Sequence, residues 1–284
     1  MDAPCRSGHH CLTMSQVELD RPRPHIAVLT MNRPERFNAL SFQLMREFYA
    51  VLDELESDMD TRVVIVTGAG RGFCSGFDLK AAAGGENGPW QEGLGALQHQ
   101  YRMQQAYGGL VVRLRKIPQP LIAAVNGAAA GGGFSIALAC DLRIAVPEAK
   151  FNCAFTRIGL GGGEMGSSYF LPKLLGSALA AELMYTGRMV YGSEALEIGL
   201  VSRLVERNEL LDAALELAQQ MIDSATPFAL RITKEVLDQV QSGMSLETAV
   251  HIENRNQVLA TRTKDAAAAM AAWAEEKKPK YQDE

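Results

Sequence analysis

The chain has 284 residues, 47% hydrophobic and 21% charged, with a formal net charge of −5. That length and balance suit a well-buried globular protein, either one large α/β domain or a domain with an appendage, and argue against a nucleic-acid partner, which needs a basic footprint. Five cysteines without a CxxC pair read as reduced, cytoplasmic thiols rather than a disulfide framework.

Residues 1–15 lack an apolar signal segment and read as a loose leader, in which Met14 is an alternative start. Cys5, His9, His10 and Cys11 fall there, but no second ligand cluster follows, so no metal is expected. HIAVLTMN (His25–Asn32) predicts a strand closed by Arg33-Pro34. Leu40, Leu44, Phe48, Val51, Leu52 and Leu55 then share one helical face, with Ser41 as a candidate N-cap. VVIVTG (Val63–Gly68) is a continuous apolar strand, as in a sheet covered on both sides. Ala83–Gly95 reads as a mobile surface loop and His99–Arg115 as a helix.

From Leu121 to Cys140 there is no charge, roughly the length a bilayer requires. Asn126 and the glycines at 127 and 131–133 divide that run, so it predicts a buried strand, a turn and a buried helix, and no membrane span. DLRIAV (Asp141–Val146) is a strand again. Beyond about Pro172 the pattern is mainly helical, with Glu209–Ser224, Pro227–Ser242 and Ser245–Ala274 each read as a helix and EEKKPKYQDE as a solvated tail. The division expected is the leader, an α/β core over residues 16–205 and a helical region over 206–284.

Several chemistries are missing from the sequence. No P-loop is present, GAGRGF ends in Phe73 where a dinucleotide fingerprint needs glycine, and GFCSG places its serine one position late for a nucleophile elbow. The histidines are scattered, and none lies in a glycine-rich stretch. What remains is a pair of glycine-containing turns that each leave a buried strand, Cys74-Ser75-Gly76-Phe77-Asp78-Leu79 and Gly131-Gly132-Gly133-Phe134. Such turns are usually structural. Where two converge, however, their bare backbone amides form an oxyanion hole, and the second turn also opens a helix whose first amides are unpaired.

FCSGFDLK, PLIAAVNGAAAGGGFSIALACDLRIA, FNCAFTRIGLGGGEMGSSYFLPKLLG and ALEIGLVSRLV, in that order, resemble the crotonase, or enoyl-CoA hydratase/isomerase, superfamily. The match runs from about Asn32 to the C terminus. The resemblance implies a fold of stacked ββα turns with C-terminal helices that assemble trimers or dimers of trimers. It also implies an acyl-CoA thioester as ligand and no cofactor beyond that CoA. Phe77 and Gly132 match the oxyanion-hole positions, and Ser75, Gly76, Phe77, Asp78, Leu79 and Lys80 the stretch along which CoA lies. Asp78 is equally read as a turn-forming side chain, and Lys80 as a solvated one.

Two positions depart from that pattern. The family's hydratases hold a water between two glutamates, and those positions are Ser135 and Phe155 here. Glu164, in Gly163-Glu164-Met165-Gly166-Ser167-Ser168, instead falls on the base of the family's peroxisomal-type Δ3,Δ2-enoyl-CoA isomerases, with Gly163 in place of their proline. The resemblance therefore implies double-bond isomerisation with Glu164 as the single acid/base, walled by Phe134, Phe155 and Met165. Hydration through Glu164 alone, a non-catalytic acyl-CoA binder and thioester hydrolysis are the alternatives. Without the family context, Glu164 reads as an acid that steadies the N-terminus of the following helix.

Overall fold

The computed structural model describes residues 15–80 and 93–284. Residues 1–14 of the leader and most of the Ala83–Gly95 loop lie outside them. The strands are β1 (Val17–Arg23), β2 (Ile26–Met31), β3 (Val63–Gly68), β4 (Leu121–Val125), β5 (Ala128–Ala130), β6 (Leu142–Ala145), β7 (Lys150–Asn152), β8 (Val190–Tyr191) and β9 (Arg203–Leu204). The helices are α1 (Phe42–Ser57), α2 (Ala96–Lys116), α3 (Gly132–Ala139), α4 (Ser167–Leu175), α5 (Ser177–Thr186), α6 (Gly192–Glu197), α7 (Leu210–Ser224), α8 (Pro227–Gln241), α9 (Leu246–Ala260) and α10 (Lys264–Ala274).

Six strands form one sheet in the order β1-β2-β3-β4-β6-β9, parallel except for the antiparallel β1–β2 edge pair. The continuous apolar runs of β2, β3 and β4 occupy its middle, where both faces are covered. A smaller sheet, β5-β7-β8, stacks strand–turn units beside it. The α/β spiral expected from the sequence is the architecture found. β1, by contrast, was not foreseen, because VELDRPR is polar and carries a proline, as tolerated on an edge.

α1 buries Leu44, Met45, Phe48, Leu52 and Leu55 on one stripe, and Ser41 caps it by accepting from the Leu44 amide at 3.1 Å. The uncharged Leu121–Cys140 run divides into β4, β5 and α3, and every residue of α3 is buried. Among the described residues no helix is long and apolar enough to cross a membrane. α7 packs on β2, β3, β4 and β6, so the first of the C-terminal helices closes a face of the main sheet.

Two sequence expectations are corrected. Ser245–Ala274 is two helices, because Thr263 starts α10 by accepting from the Ala266 amide at 3.1 Å. The last residues are also not a free tail. The amides of Gln282 and Asp283 each donate to the buried Asp265 carboxylate at 2.8 Å, Arg231 clasps Asp283, and Arg62 donates to the Tyr281 carbonyl at 3.2 Å. These bonds outweigh the solvation of a charged end.

Candidate active site

The two glycine turns meet because their backbones are bonded to each other. Phe73 and Cys74 donate to the Ala128 carbonyl at 3.0 Å, and Ala130 donates to the Cys74 carbonyl at 3.0 Å. Gly133 must lack a side chain, since the Cys74 carbonyl oxygen lies 2.0 Å from where its β-carbon would be. Gly76, at φ +90°, lies against the second turn, its virtual β-carbon 3.2 Å from the Gly132 nitrogen. The Phe77 and Gly132 amides therefore share one small region, and neither donates to another group among the described residues.

A polar knot behind the first turn fixes it. Fully buried Asn38 donates to the carbonyls of Ala69, Gly72 and Phe73 at 2.8–3.1 Å and accepts from the Arg33 amide at 2.8 Å. Arg33 reaches on to Asp78 at 2.8 Å and to the Ala39 carbonyl at 2.8 Å. Asp78 is consequently turned inward and ion-paired, whereas Ser75, Leu79 and Lys80 remain exposed. Neighbouring Cys74 offers no thiolate, because burial pushes its thiol up to about 12.

Glu164 lies on the loop before α4. Ser135 of α3 donates its hydroxyl to the Glu164 carbonyl at 3.2 Å. Ser167 secures the same loop: its hydroxyl accepts from the Glu164 amide at 3.1 Å, and its amide donates to the Glu164 carbonyl at 3.0 Å. That lacing holds a loop whose Gly163 leaves its backbone otherwise unrestrained. The Glu164 carboxylate accepts through Oε1 from the Met165 amide at 3.1 Å and from the Gln104 side chain on α2.

Met165 Sδ lies 2.9 Å from the virtual β-carbon of Gly132, and Phe155 flanks Gly131 with its ring centroid 6.2 Å from that of Phe77. Those two residues wall the turns. Phe134 does not. It is buried against Phe151, ring centroids 5.6 Å apart, and belongs to the core behind α3.

An apolar cleft of about 530 Å³ opens beside Phe77, lined by Leu40, Leu79, Tyr107 and Leu160 together with Gln104. Tyr107 packs on Phe77 at 4.3 Å between ring centroids, and burial pushes its phenol up to about 12, so it is neutral. Gln104, Arg33, Asn38 and Tyr107 were not picked out from the sequence. Asn38 lies in NRPERFNAL, where its positive φ of 56° is a signal that only the backbone reveals, and Gln104 is one of several glutamines on a helix without a motif.

A family model described as enoyl-CoA hydratase/isomerase matches residues 22–284. The chain is 40% identical over 273 residues to the probable enoyl-CoA hydratase EchA12 of Mycobacterium tuberculosis, covering 96% of this chain and 94% of that protein. Its structure is similar to a probable enoyl-CoA hydratase/isomerase from Mycobacterium abscessus, with a TM-score of 0.88 and 38% identity over 95% of this chain and 100% of the other. It is also similar to a monofunctional enoyl CoA isomerase from M. smegmatis, with a TM-score of 0.70 and 41% identity over 83% of this chain and 98% of the other.

Proposed function

The chain belongs to the enoyl-CoA hydratase/isomerase family, and we propose that, within it, this enzyme moves the double bond of a 3-enoyl-CoA to the 2-position with Glu164 as its single acid and base. The carrying observation is that Glu164 is laced to α3, which the second turn opens, and to Gln104 of α2, which lines the cleft beside Phe77, while Ser135 and Phe155 stand where a water would need carboxylates. The nearby Asp78 is held by Arg33.

In this reading the thioester oxygen accepts from the Phe77 and Gly132 amides. Glu164 removes a proton from the α-carbon, the electrons pass into the thioester as an enolate, and the two amides hold the negative oxygen. The protonated Glu164 then delivers that proton to the γ-carbon as the double bond settles at the 2-position. No atom is gained or lost, and one carboxyl group serves both steps. Phe155 and Met165 keep water from intercepting the enolate. The acyl chain enters the cleft beside Phe77 and Tyr107, and CoA runs along Ser75–Lys80. Arg36 and Arg71, both exposed, lie close by, as Ser75 bonds the Arg36 carbonyl and Arg71 stacks over Phe37. These cations suit its phosphates. The enzyme works as a homotrimer or a dimer of trimers in the cytoplasm.

The test is incubation with a 3-enoyl-CoA and, separately, a trans-2-enoyl-CoA, each beside Glu164→Gln. Isomerisation at unchanged mass, falling about 10²–10⁴-fold in the variant, is the expected result. Gain of one water from the 2-enoyl substrate would make the enzyme a hydratase, the activity for which EchA12 is named. Binding without turnover of either substrate would leave a silent acyl-CoA binder.

A further inference from the structure

Resting on Glu164 as the base, we infer that Gln104 is the positioning residue that dictates which oxygen of Glu164 moves the proton. A carboxylate oxygen offers two in-plane lone pairs. On Glu164 Oε1 one meets the Gln104 side-chain amide and the other meets the Met165 backbone amide at 3.1 Å. Among the described residues nothing donates to Oε2. The carboxylate is therefore pinned at one oxygen and free at the other, and the free oxygen carries the chemistry.

This arrangement fits a shuttle better than a single transfer. When the α-proton leaves carbon and Oε2–H forms, Oε1 remains an acceptor, so both of its donors stay satisfied. When Oε2–H returns the proton to the γ-carbon, nothing has had to rotate. The pinning persists through both halves of the cycle, and the acid cannot swing toward solvent between them. A neutral amide achieves this without an opposite charge that would blunt the base.

Gln104 is also held by a rigid element. Tyr49 donates to the carbonyl of Ala106 at 2.8 Å, Tyr107 donates to that of Leu40 at 3.4 Å, and Arg113 ties α2 to Asp53 and Glu56 of α1. The side chain lines the same cleft as Phe77, so α2 holds the base and the wall of the acyl cleft in one frame.

The experiment compares wild type, Gln104→Leu, Gln104→Met and Glu164→Gln with a 3-enoyl-CoA in D₂O, with thermal melts to establish folding. Either Gln104 variant should lower kcat about 10–100-fold, the cost of a misplaced catalytic group, with KM within about twofold. Deuterium in product and recovered substrate should rise several-fold, because a loosened acid exchanges with solvent before returning its proton. Unchanged kcat, or a loss confined to KM with unchanged deuterium, would make Gln104 only a wall of the cleft and overturn the inference while leaving Glu164 as the base. Turnover that survives Glu164→Gln would remove both assignments.

Discussion

At Gly76 the backbone sits at φ +90°, and the Ala130 carbonyl oxygen lies 2.7 Å from where a β-carbon would stand. A methyl group there meets immovable backbone in a conformation L-residues avoid. Gly76→Ala should therefore lose about 1–3 kcal/mol from the conformation alone, read as a lower urea midpoint. Gly132→Ala makes an instructive contrast. Its methyl would meet Met165 Sδ at 2.9 Å and Leu40 Cδ1 at 3.0 Å, the ends of flexible side chains. That variant should melt within about 1 kcal/mol of wild type yet lose most turnover, because the amide is kept but the methyl group and the side chains it displaces crowd the space where the thioester oxygen is proposed to dock. Folding and activity are thus set by neighbouring glycines for different reasons, and urea titration beside a turnover assay separates them.

Among the elements, α1 ends on a clasp that carries a pH signature. Asp58 accepts from Arg21 at 2.9 Å, from the Thr61 hydroxyl at 2.7 Å and from the amides of Asp60 and Thr61. Burial pushes its carboxyl up, but these donors outweigh burial and hold it at about 2, below the ordinary 3.8. The unfolded chain then binds the extra proton between those values. The clasp's contribution is full above 3.8 and is lost as pH falls through about 2. Asp58→Asn should be less stable by about 1–2 kcal/mol at pH 7, after allowance for the 44% exposure of Arg21, with the difference closing below pH 4 in a series of melts. The clasp also illustrates what a sequence conceals, since Asp58 and Arg21 are 37 residues apart. β3 and α1 were legible because their signals are contiguous periodicities. The α9–α10 break was not, because Thr261–Thr263 contains neither glycine nor proline and only the Thr263 cap marks it. At the site the glycine turns and the Glu164 loop read as local motifs. The Gln104–Glu164 contact spans 60 residues and exists only once α2 has packed.

On the scale of the whole molecule, the C-terminal helices expose Leu246 at 81%, Met270 at 74% and Trp273 at 84%. Large apolar side chains this bare ask for cover. Sedimentation should find no folded species near 30.8 kDa at micromolar concentration and a mass at a multiple of three chains. A stable monomer would sink the trimer. The tie of the last residues to Asp265, Arg231 and Arg62 joins this apolar surface to α8 and to the start of β3, so any assembly made through it is registered on the catalytic core.

Ser135 sets a constraint on how this chain could change its chemistry over generations. It is wholly buried, and its hydroxyl supports the loop that carries Glu164. Installing a glutamate there alone would bury an unpaired charge and remove that bond to the loop, so Ser135→Glu is expected to lose stability before it gains any new chemistry. Phe155, only 2% exposed, is no easier a starting point, since a glutamate there would be buried without a partner as well. A change toward two carboxylates at these positions therefore calls for paired substitutions that supply a partner for each new charge.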